Sequence, residues 1–123
     1  MLFMHFMQLT CLERTDGPGG DDIFMIINDM TRHPAPGLTW SFSAGKTVTL
    51  EFFDTGMPPG TPQTRFTIEL WEQDNVDSDD HLGTVSFTVD DFDWFDDFWN
   101  KIREAKFTGD GADYRLIYKF VDL

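Results

Sequence analysis

An all-β fold, an antiparallel eight-stranded β-sandwich, is predicted for this chain by three observations. Short runs alternate apolar and polar residues with the period of a strand, most clearly Phe66, Ile68, Leu70 and then Val85, Phe87, Val89. Clusters of Gly and Pro separate these runs at short intervals, as turns of a sandwich do. The 123 residues include 13 Phe and 4 Trp, enough apolar bulk for one sizeable core. One domain spanning residues 1–123 is therefore expected.

The elements follow in order. Residues 2–13 mix apolar and polar positions without a helical period, and a first strand is the better reading. The run Thr15-Asp16-Gly17-Pro18-Gly19-Gly20-Asp21-Asp22 is a loop by composition. Ile23 to Ile27 reads as a short central strand. Asn28 to Gly37 reads as a connection, because Pro34 and Pro36 oppose regular structure. Leu38–Ser43 and Thr47–Phe53 read as strands around Ala44-Gly45-Lys46, the second with Val48, Leu50 and Phe52 on one face. Asp54 to Gln63, with three Pro and two Gly, is a second loop. Arg65–Glu72, Gly83–Val89 and Asp113–Val121 complete the strands, and Gly109-Asp110-Gly111 marks a turn before the last.

One segment departs from this pattern. Between Asp90 and Lys106, Phe92, Phe95, Trp99 and Ile102 recur at helical spacing. Acids open the segment, and Lys101, Arg103 and Lys106 follow near its end, as a helix dipole favours. One short helix capping the sandwich is expected there, or an irregular aromatic segment near 90–106. Trp94 and Phe98 lie off the stripe, so an exposed aromatic partner site is the functional alternative.

Charge narrows the functions. With 22 acids against 9 bases the net charge is −13, the wrong sign for nucleic acid or for simple docking on anionic lipid. The single Cys11 excludes an internal disulfide framework and a Cys-based zinc site. No run approaches the ~18 apolar residues of a membrane span. The apolar start, M-L-F-M-H-F-M, lacks the basic region and cleavage site of a signal peptide. Secreted and cytoplasmic locations both fit. His5, His33 and His81 are scattered, and no nucleophile elbow, P-loop or H-E-x-x-H is present, so an enzyme is not expected.

The chemistry gathers in two loops. Glu72, Asp74, Asp77, Asp79 and Asp80 stand between two strands with no Lys or Arg among them. Glu72 and Asp74 continue the parity of Phe66, Ile68 and Leu70, which places them at the open end of the core face. Crowded carboxylates repel, and a hard cation taking oxygen ligands relieves this; a solvated acidic turn is the plain alternative. The helix-flanked calcium loop of the EF-hand does not fit, because counting from Asp77 puts Leu82 where its glycine belongs.

The two loops together resemble those of the C2 domain. Asp16 and Asp22 stand six apart, with an apolar strand following directly. Glu72 and Asp74 are two apart, Asp80 lies six beyond Asp74, and Leu82-Gly83 closes the loop. The resemblance implies a C2-like sandwich whose metal ligands are Asp16, Asp22, Glu72, Asp74 and Asp80, holding one or two Ca2+. Asp21 and Asp79 are possible substitutes beside Asp22 and Asp80. Phe24 takes the place of the family's aromatic after the second acid, and Ile23 stands where it usually has Pro. Glu72 replaces an Asp, which lengthens one arm. A partner protein or a phospholipid headgroup would meet the ordered rim, although the loop tips offer only Val76 for insertion among lipid tails. The rival reading is a metal-free acidic sandwich that binds a basic partner through Asp90, Asp91, Asp93, Asp96 and Asp97 near Trp94 and Phe98.

Overall fold

The computed structural model describes residues 2–15, 19–54, 65–74, 78–88 and 101–122, with the backbone alone at 2, 65, 87, 88 and 122. Among the described residues nine strands run in chain order: β1 (Leu2–Glu13), β2 (Asp21–Ile27), β3 (Thr31–His33), β4 (Trp40–Phe42), β5 (Thr47–Asp54), β6 (Arg65–Glu72), β7 (Asp80–Thr88), β8 (Arg103–Phe107) and β9 (Asp113–Asp122). They form two antiparallel sheets, ordered β5-β1-β9-β8 and β3-β2-β6-β7, with β4 also pairing β2. The all-β sandwich expected from the sequence is present, with nine strands rather than eight.

Two strands, β3 and β8, fall where the sequence reading placed none, and each has a physical reason. Asn28 and Asp29 adopt the left-handed conformation (φ 52° and 54°), which these two residue types tolerate. That turn folds Thr31–His33 back onto β2, where Ile27 meets Thr31 and Met25 meets His33. Arg32 stacks its guanidinium 3.8 Å from the centroid of the Phe24 ring. The prolines that argued against a strand begin only after it has ended.

The second is β8, which corrects the helical reading over its last residues. Ala105 and Phe107 are buried while Glu104 and Lys106 are exposed, so the segment runs with period two. It pairs β9 from Arg103↔Tyr118 to Phe107↔Tyr114. Ile102, expected on the buried stripe, is 62% exposed. Phe92, Trp94, Phe95, Phe98, Trp99 and the acids of 90–97 lie outside the described residues.

The core fills the space between the sheets. Strand β1 contributes Met4 and Phe6 and then Leu9 and Cys11, a change of parity along one strand. A register shift between Phe6 and Gln8 makes this possible, with Met7 as the extra residue opposite β9. Strands β2 and β6 answer with Ile23, Met25 and Ile27 and with Phe66, Ile68 and Leu70. The sheets are also tied along both flanks. On one, the Thr31 hydroxyl and His33 Nε2 each lie 2.7 Å from Oδ2 of Asp54. On the other, the Gly109 N–H donates to the Leu82 carbonyl at 2.6 Å.

Within one sheet β1 and β8 run against β9, within the other β6 runs against β2 and β7, and the Thr15–Glu72 and Tyr114–Asp21 contacts bring the end of β6 and the starts of β2 and β9 together. The connections β1–β2, β6–β7 and β8–β9 therefore leave the sandwich at the same end. That end carries the candidate site.

Candidate metal centre

Glu72 closes β6 and Asp80 opens β7, and the two are paired across the sheet. A register shift between Leu70 and Trp71 sets this pairing, so the acidic loop is closed by paired backbone at two acidic residues. Asp110 comes from the β8–β9 turn, where Asp110 (φ 54°) and Gly111 (φ 75°) both take left-handed backbone. The Gly109 bond to Leu82 holds this turn against β7. A Cβ on Gly109 would stand 2.6 Å from the Leu82 carbonyl oxygen, so glycine is required there.

Glu72, Asp80 and Asp110 each offer a carboxylate oxygen, and these oxygens all lie within 4.8 Å of one another. Among the described residues this is the group of acids gathered so closely. Glu72 sits deepest. Burial pushes its carboxyl above the usual carboxylate range, a hydrogen bond from Thr15 opposes the shift, and the charges of Asp21, Asp80 and Asp110 add to it. Oxygen donors of one charge, drawn from three strand ends, fit a hard divalent cation.

The other expected ligands are distributed around this group. Asp22, on β2, accepts a hydrogen bond from the Ser41 hydroxyl at 3.3 Å. Its carbonyl accepts from the Gln73 N–H at 2.8 Å, which ties β2 to the start of the acidic loop. The Asp74 N–H donates to Asp79 Oδ1 at 3.0 Å, so Asp79 braces the loop from within. Asp16 lies outside the described residues.

Asp21, read as a substitute ligand, has a different occupation. It is 1% exposed, and its Oδ2 accepts from the Thr15 N–H at 2.9 Å and from the Tyr114 hydroxyl at 2.5 Å. The Thr15 hydroxyl stands 2.6 Å from Asp21 Oδ1 and 2.8 Å from Glu72 Oε2, with one proton to share between them. Burial, followed by the Asp21 contact, pushes the Tyr114 phenol well above its ordinary range.

Sequence reasoning missed Asp110 and Thr15. The signal for Asp110 was available: once strand directions alternate, the turn before the last strand falls at the same end as the two acidic loops. Thr15 carried none, because its contact to Glu72 spans 57 residues.

No protein-family model matches the sequence, and neither does any curated protein. Solved structures do match. A C2 domain structure aligns with TM-score 0.54 at 10% identity, covering 98% of this chain and 97% of its own. Human GIVD cytosolic phospholipase A2, in complex with a fluorophosphonate inhibitor and terbium chloride, aligns with TM-score 0.50 at 13% identity. That alignment covers 99% of this chain, which spans 17% of the phospholipase. At such identities the likeness concerns fold alone. Two antiparallel sheets, matched end to end by a C2 domain, make this chain C2-like in fold.

Proposed function

We propose that the chain, as one C2-like module, binds Ca2+ at its acidic end and thereby orders a rim for a partner protein or a phospholipid headgroup. The ligands we assign are Glu72, Asp80 and Asp110, with Asp22 from the start of β2 and Asp16 and Asp74 from the adjoining loops. The observation that supports this most is the approach of three carboxylate oxygens to within 4.8 Å at the loop end of the sandwich. A bound Ca2+ would supply the positive charge that these acids lack. Without it, Glu72 is half-buried beside like charges from Asp21, Asp80 and Asp110, and the ends of β6, β7 and the β8–β9 turn repel one another. With that charge balanced, Glu72 and Asp80 hold the acidic loop closed, while Asp22 and Gln73 fix it to β2.

Thermal unfolding tests this. A ligand that binds only the folded chain at ~100 times its Kd stabilises by ~2.7 kcal/mol. For a domain of this size that raises Tm by several degrees. Ca2+ at about 5 mM, roughly 5–50 times the ~10⁻⁴–10⁻³ M Kd of extracellular calcium modules, is expected to raise Tm by a somewhat smaller amount, with Mg2+ at equal ionic strength doing less. The rise is expected to vanish in Glu72→Gln and in Asp80→Asn. No response to Ca2+ in the wild-type chain would leave the metal-free acidic sandwich as the better reading.

A further inference from the structure

We infer that Tyr114, Asp21 and Thr15 form a positioning chain that orients Glu72 from within the core, an inference that rests on the calcium reading above. Asp21 and Tyr114 are 1% and 0% exposed, and a carboxylate so deep must be hydrogen-bonded. Asp21 has two donors besides the Thr15 hydroxyl, namely Tyr114 O–H and Thr15 N–H. The single hydroxyl proton of Thr15 is shared between Asp21 Oδ1 at 2.6 Å and Glu72 Oε2 at 2.8 Å, while Tyr114 and the Thr15 N–H keep Asp21 Oδ2 satisfied. Among the described residues, Thr15 is the side-chain donor that Glu72 has.

The far end of the chain is rigid. Tyr114 lies on β9, held between β1 and β8, and its ring meets Phe42 edge-on at 5.3 Å. The direction of the Glu72 carboxylate is thus set from β9, an inner strand of its sheet, rather than by the loop that Glu72 opens. Asp21 is not itself a ligand here, because its Oδ2 is held by Tyr114 and the Thr15 N–H and its Oδ1 faces the Thr15 hydroxyl.

The test uses Tb3+ alone as probe, a hard cation whose luminescence is excited through the chain's tryptophans. It is titrated into wild type, Thr15→Val, Thr15→Ser and Tyr114→Phe, and each variant is also unfolded thermally in metal-depleted buffer. Partners that orient a metal ligand typically change affinity 10–100-fold, so Thr15→Val and Tyr114→Phe are expected to weaken Tb3+ binding by about that factor. Thr15→Ser, which restores the hydroxyl, is expected to bind as wild type does. A merely structural role would lower the unfolding midpoint of Thr15→Val and Tyr114→Phe while leaving Tb3+ affinity unchanged, and that result would overturn the inference. A wild-type chain that binds no Tb3+ removes the calcium reading and the positioning chain together. Tight wild-type binding with unaffected variants removes the positioning chain alone.

Discussion

Glu72 is the residue on which chemistry and stability meet. Its raised folded value means that the folded chain holds this proton more tightly than the unfolded chain does. The resulting stability is fully present below the ordinary glutamate range and is lost as pH rises through the raised value. In metal-depleted buffer, Tm is therefore expected to fall across that window in wild type, and to fall less in Glu72→Gln. Ca2+ should reverse the slope, because proton and cation compete for one carboxylate. Thermal unfolding against pH, with and without Ca2+, measures both signs. The parity argument had placed Glu72 at the mouth of the core, and it does reach inward to Thr15. Parity could not reveal Thr15 or Tyr114, since those contacts form only when β1, β6 and β9 have assembled.

At the scale of elements, the β8–β9 hairpin decides whether Asp110 reaches the site. Gly109→Ala forces a methyl to within 2.6 Å of the Leu82 carbonyl oxygen. A destabilisation of about 1–3 kcal/mol is expected, the range for a substitution that breaks a required backbone approach. The Ca2+ response should weaken with it, as Asp110 is carried away from Glu72 and Asp80. Denaturant unfolding with and without Ca2+ reads both effects.

The identity of β8 has its own test. Phe107 is 1% exposed, and Phe107→Ala should cost about 3–5 kcal/mol. Ile102, which a helical stripe would have buried, is 62% exposed, and Ile102→Ala should stay within about 0.5 kcal/mol. The strand was hidden in the sequence because Phe92, Phe95, Trp99 and Ile102 carry a helical period directly into it. β3 was hidden by Pro34 and Pro36, which terminate it rather than forbid it. β6 and β9 were plain, because both alternate cleanly and neither contains a bulge. In β1 the shift at Met7 blurred the alternation, although its span was legible from composition.

Across the whole molecule, a charge of −13 has to be kept apart from the site it surrounds. Added salt screens general repulsion among the acids whatever their arrangement. A rise in Tm with divalent ions therefore carries meaning only at constant ionic strength and with Mg2+ beside Ca2+. Connectivity supplies what charge cannot: β1–β2, β6–β7 and β8–β9 open at one end, so acids distant in sequence converge there. The sandwich could be read from spacing, as could the places of Glu72 and Asp80 at the ends of β6 and β7, whereas the third contribution, Asp110, follows only from strand direction.

The most direct measurement is calorimetric titration of Ca2+ into the metal-depleted chain, beside Asp110→Asn and Asp80→Asn at the same ionic strength. Saturable binding is expected in wild type at up to about millimolar Kd, the weak end of calcium modules. It should be weakened in Asp110→Asn and abolished in Asp80→Asn. Heats that never saturate in wild type, or that are unchanged when Asp80 is neutralised, would contradict a calcium site at this end of the sandwich.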